Sequence, residues 1–106
     1  MNIRITTRGY KAPERLKKYL EDKANRLHRF ENVIRDFEAI LSYEKIDQIV
    51  EFKLTVNKKM IIVKEKSDDI FKSIDLAIDN LERQVVKAKE ITKNRRKQKP
   101  VEMLEV

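Results

Sequence analysis

The chemistry available to this sequence is that of lysine and arginine. Arg83, Lys87, Lys89, Lys93, Arg95, Arg96, Lys97 and Lys99 all fall within residues 83–99, where Glu90 is the only acid. A run of this kind can neutralise successive phosphates of a polyanion and release their counterions, so binding is expected to weaken steeply with salt. The rest of the chain does not share the bias. Residues 1–82 hold 17 basic and 15 acidic residues, and residues 100–106 hold two acids and no base. Complementing a helix dipole needs only the last turn, whereas this run covers more than about four turns' worth of residues. A near-neutral body with a concentrated basic end points to a polyanionic partner.

Other chemistry is thin. The chain has 106 residues and no cysteine, which excludes a disulfide framework, a thiolate metal site and cysteine nucleophiles. His28 is the single histidine, so a histidine metal cluster is absent, and at its helical position it reads as a surface residue. Gly9 is the single glycine, which leaves no phosphate-cradling glycine loop. Carboxylates are plentiful, but they alternate with lysines as solvated faces do. No cofactor is expected, and no enzymatic activity. No apolar run reaches the roughly 20 residues of a membrane span and the first residues carry no signal-peptide core, so a cytoplasmic domain without membrane association is expected. Charged residues make up 41% of the chain and hydrophobic residues another 41%, enough for one core under a dense ionic surface.

The elements that must carry these charges follow from periodicity. Ile3 and Ile5 alternate with polar neighbours as a short strand. Pro13 suits the first position of a helix running from Glu14 to about Phe30, with Leu16, Leu20, Ala24 and Leu27 on one stripe and Ala12 as a poor cap. The period then changes to two: Phe37, Ala39, Leu41 and Tyr43 form one strand, and Val50, Phe52, Leu54 and Val56 another, joined through Lys45–Asp47. Asn57-Lys58-Lys59 reads as a hairpin into a fourth strand, Met60–Lys66. Ser67-Asp68-Asp69 supplies caps for a second helix with the stripe Ile70, Ile74, Ala77, Ile78, Leu81, Val85 and Ala88, ending near residue 92. The fold class is therefore α+β, in the order β-α-β-β-β-α. A four-stranded mixed sheet carries both helices on one face, its first two strands parallel and the remaining pairs antiparallel. Residues 93–106 are expected to be a basic, disordered tail beside the 1–92 domain.

On both helices the charges are sorted into strips. At 100° per residue, Arg15, Arg26 and Arg29 cluster on one flank of the first helix, with Lys18 and Lys23 at its edges. On the second, Lys72, Arg83 and Lys87 form a basic strip beside an acidic one of Asp75, Asp79 and Glu82. If the basic flanks face each other, they line a positive groove. Few aromatic residues are free to stack on bases: Tyr19, Phe30, Phe37, Phe52 and Phe71 read as core, leaving Tyr10 and Tyr43. Phosphate and shape recognition of structured RNA fits better than single-strand stacking.

The second helix carries a pattern with a family resemblance. Asp69-Ile70-Phe71-Lys72-Ser73-Ile74-Asp75, then Asp79-Asn80-Leu81-Glu82-Arg83-Gln84 with Lys87 and Lys89, resembles the ribosome hibernation promoting factors. That family includes the ribosome-associated inhibitor protein Y and once carried the label of sigma-54 modulation proteins. Asn2–Thr6, Lys23–Phe30 and the strand Val50–Val56 are similar in the same order. The resemblance implies a fold like that of double-stranded-RNA-binding domains, and a small-subunit partner with its 16S-type ribosomal RNA. It further implies occupation of the messenger and A- and P-site transfer RNA channel, inhibition of translation, and hibernation of idle ribosomes under stress or in stationary phase. Family RNA contacts carry over to Lys23, Arg26, Arg83, Lys87 and Lys89, to which the strips add Arg29 and Lys72. Lys89 lies off the basic strip, on its helix's other side. No small-molecule substrate is implied, and a monomer is expected off the ribosome. Long family members add a C-terminal dimerisation domain, so this chain is either a short form or a fragment of a long one.

Overall fold

The computed structural model describes the backbone of residues 2–105 and the side-chain surroundings of residues 2–90. Strand β1 (Arg4–Thr7) leads to helix α1 (Glu14–Ala24), which tightens into a 3-10 helix at Asn25–Phe30. Strands β2 (Ile34–Glu44), β3 (Asp47–Val56) and β4 (Lys59–Ser67) follow, and then helix α2 (Ile70–Glu105). The sheet order is β1-β2-β3-β4; β1 and β2 are parallel, and both later pairs antiparallel. The expected fold class and strand pairing are those observed.

Alternation explains which face is covered. Ala39, Phe52 and Val63 lie in register across β2, β3 and β4, as do Leu41 and Val50, and all are buried in one core with Leu16, Leu20, Ile74, Ile78 and Leu81 of the helices. The opposite face carries Glu38, Glu51, Lys53 and Lys64. Ile40 and Ile49 also lie on that face, yet both are buried outside the helix-side core. β2 begins at Ile34, earlier than its alternation predicts. A bulge between Arg35 and Glu38, with Asp36 at φ 55°, changes the parity, so Ile34 and Phe37 both point into the core.

Local chemistry sets the ends of the helices. Pro13 is the cap of α1 rather than its first residue, and its carbonyl accepts from the N–H groups of Leu16 and Lys17. Of the three cap candidates before α2, Asp69 serves: its carboxylate accepts the Phe71 N–H at 2.9 Å. Ser73, fully buried, donates its hydroxyl proton to the Gln48 carbonyl at 2.7 Å and ties α2 to β3. The backbone of α2 stays helical beyond residue 92 to Glu105, through Arg95–Lys99, where arginine, lysine and glutamine are all good helix formers. The side chains of the expected tail, 93–106, lie outside the described residues.

Candidate nucleic-acid interface

α1 and α2 lie side by side on the sheet and run in the same direction, as a ladder of contacts along their seam shows. At its start, the Arg15 guanidinium sits 5.7 Å from the Phe71 ring centre, and Phe71 packs edge-on against Tyr19 at 4.9 Å. Tyr19 donates its hydroxyl proton to Asp75 at 2.7 Å, and the Lys23 ammonium lies 3.7 Å from the same carboxylate. Arg26 follows as a fork, Nη1 to Asp79 at 2.7 Å and Nη2 to Glu82 at 2.6 Å. Arg29 reaches Glu82 at 3.5 Å. The seam ends where Arg29, at 4.5 Å, and Lys89, at 5.3 Å, both approach the ring of Phe30.

The 3-10 segment makes this ladder possible. With three residues per turn, side chains three apart eclipse. Leu27 and Phe30 therefore both enter the core, while Arg26 and Arg29 stack on the outside and reach the same carboxylate. The hydrogen bond to Asp75, reinforced by desolvation, pushes the Tyr19 phenol up to about 12. The bonds to Asp79 and Glu82 hold the Arg26 proton more firmly still.

The two basic flanks do not face each other. The basic flank of α1 faces the acidic strip of α2, and the basic strip of α2 lies on the far side of that acidic row. The predicted residues divide accordingly. Lys23, Arg26, Arg29 and Lys89 come together along the seam. Lys72, Arg83 and Lys87 are exposed away from it and, among the described residues, form no ion pair. Two cationic rows thus bracket a line of carboxylates. Sequence reasoning missed the partnership of Asp75, Asp79 and Glu82 with Tyr19 of α1 and with the basic residues that follow it. Their sorted strip was the available signal, but helical angles within α2 do not say which neighbour the strip meets.

The remaining candidates are quiet. His28 is exposed, its Nδ1 3.3 Å from Glu31. Tyr10 is not free for stacking: it packs on the core and lies 6.0 Å from Tyr43, whose ring also closes against Gly9. Gly9 has φ 88°, and a Cβ there would lie 2.9 Å from Tyr43 Cε1, so only glycine fits. Among the described residues no cluster of three metal-ligating side chains occurs, and no helix is long and apolar enough to cross a membrane.

Fold and site define a small α+β domain of β-α-β-β-β-α order with a cation-edged pair of parallel helices. The sequence profile of the family described as "Sigma 54 modulation protein / S30EA ribosomal protein" matches residues 3–93, and the chain belongs to that family. Relatives named ribosome hibernation promoting factor include one from Azotobacter vinelandii, 31% identical over 90 residues that cover 85% of this chain and 84% of that one. Another, from Escherichia coli K12, is 28% identical over 90 residues, covering 85% and 95%. Among solved structures, a ribosomal subunit interface protein from Coxiella burnetii superposes with TM-score 0.79 at 28% identity, covering 85% of this chain and 99% of that one. The N-terminal domain of Thermus thermophilus Protein Y gives TM-score 0.73 at 28% identity, covering 80% and 96%.

Proposed function

We propose that this protein is a ribosome-associated hibernation factor, acting by occupancy rather than catalysis. It docks its helix pair on the small ribosomal subunit, in the channel used by messenger RNA and the A- and P-site transfer RNAs, and so inhibits translation while the ribosome is idle. The observation that carries this reading is a family match over residues 3–93 on a domain whose helices expose cations without ion-pair partners. Arg29, Lys72, Arg83, Lys87 and Lys89 supply the phosphate contacts. Lys23 and Arg26 contribute chiefly by locking α1 to α2, because their charges are already matched by Asp75, Asp79 and Glu82. The row of carboxylates repels phosphates from the seam and helps select a backbone that fits the rows on either side.

Co-sedimentation with purified small subunits over roughly 50 to 500 mM salt tests the proposal. The expected result is saturation at one copy per subunit, with transfer RNA displaced. Non-saturating binding that bulk RNA competes away overturns the ribosomal assignment and leaves a general structured-RNA binder.

A further inference from the structure

The hairpin between β3 and β4 turns through Asn57 and Lys58, at φ 50° and 71°. A two-residue turn with both centres in the left-handed region favours glycine at its second position, where a side chain strains the backbone. This chain places lysine there. Lys59 follows, paired with Val56 and lying on the helix side of the sheet at its edge. Across from it stand Gln84 and Lys87 of α2, and with Ile61 and Ala88 at its base they line an open groove between β4 and α2. No carboxylate lines that groove. Lys58, Lys59 and Lys87 are all exposed and, among the described residues, none forms an ion pair. Ile61 and Ala88, both buried, give the groove an apolar floor beneath the cations.

We infer that Lys59 and Lys87 form a phosphodiester-binding groove, extended by Lys58 in the adjoining turn, an RNA contact separate from the seam of the helix pair. The inference rests on the proposed ribosomal function for its natural ligand, but not for its chemistry. Lys87 belongs to the outer basic strip of α2, so the groove extends that row past the helix and onto the β3–β4 hairpin. The ammonium groups hold phosphates along the rim of the groove. β4 is also a sheet edge, and lysines on an edge strand discourage pairing with another chain. That role requires charge along the strand, but it does not require a lysine at the strained turn position.

Lys58 makes the test discriminating, because its two roles have opposite signs. The variants are Lys58→Gly with Lys59→Gln, Lys59→Gln alone, and Lys45→Gly. Lys45 is another left-handed lysine, at φ 58°, in the hairpin at the other end of β3, and serves as the control. Thermal unfolding and salt-dependent binding are measured for each, on small subunits and on a duplex RNA. The double variant is expected to unfold at a temperature no lower than the parent, since glycine relieves the turn. Its salt slope is expected to fall by about 1 for each lysine removed, with affinity at about 0.1 M salt falling roughly tenfold to a hundredfold. Lys59→Gln alone, which leaves the turn untouched, is expected to show half that loss of slope. Parental slopes in both hairpin variants overturn the groove, and so does an equal loss in Lys45→Gly, which would report net charge alone. If the parent fails to bind subunits, the ribosomal reading fails. The duplex titration then decides the groove separately by the same comparison of slopes.

Discussion

Truncating Arg26 and Arg83 separately distinguishes cations that hold the fold from cations proposed to meet RNA. Arg26 loses two charge-assisted hydrogen bonds, at 2.7 and 2.6 Å, to carboxylates on the other helix. An exposed ion pair contributes only about 0.2–1 kcal/mol. Here one planar fork joins two carboxylates, and the Glu82 side chain is only 23% exposed, so the loss lies at or above the top of that range. Arg26→Ala is expected to cost about 1.5 kcal/mol, after discounting for the 42% exposure of the arginine itself. For a domain of this size that corresponds to a melting temperature lower by roughly 6–12 °C. Arg83 has no such partner, and Arg83→Ala should stay within about 0.5 kcal/mol of the parent. Binding should show the reverse order. Arg83→Ala lowers the salt slope for small-subunit binding by about 1, whereas Arg26→Ala lowers it by less, because its charge is matched within the protein. Urea unfolding and co-sedimentation of both variants give the four numbers. An Arg26→Ala protein as stable as the parent, or one losing as much salt slope as Arg83→Ala, refutes the ladder as a structural device.

Ser73→Ala removes the donor to the Gln48 carbonyl at a fully buried position and should cost about 1–3 kcal/mol by urea unfolding, with binding by the folded protein unchanged. Tyr19 supplies a dependence on alkaline pH. Its phenol is raised in the folded protein to about 12 from an ordinary value of 10.0, so the bond to Asp75 stabilises fully below pH 10 and fades as pH rises through 12. Tyr19→Phe should lower the melting temperature at neutral pH and flatten its decline across that window, as thermal unfolding at stepped pH would show.

The sequence was most legible where structure is local. Period-two alternation in Val50–Val56 and the apolar stripe Ile70–Ala88 each described a surface that had to be buried, and the positions so marked are buried except Ile70, which is half-buried at the start of α2. Elsewhere a local rule was broken by a single residue. Asp36 in the left-handed region hid the start of β2, because a bulge moves Ile34 onto the same face as Phe37. The tightening of α1 at Asn25 altered the angles of Arg26 and Arg29, since the 3-10 geometry turns 120° per residue rather than 100°.

The charge strips mark the division most clearly. Spacing alone determined that Asp75, Asp79 and Glu82 share one flank of α2 and that Lys72, Arg83 and Lys87 share another, because a helix rotates by a constant angle per residue. Which strip meets α1 depends on how α2 rolls about its axis when Ile74, Ile78 and Leu81 seat on the sheet, and on the parallel course of the two helices. Residues 53 to 56 positions apart become neighbours only through that packing. Tertiary structure therefore turned a supposed groove of facing cations into an ion-paired seam with free cations on its outer side, and brought Lys59 of a distant hairpin opposite Lys87.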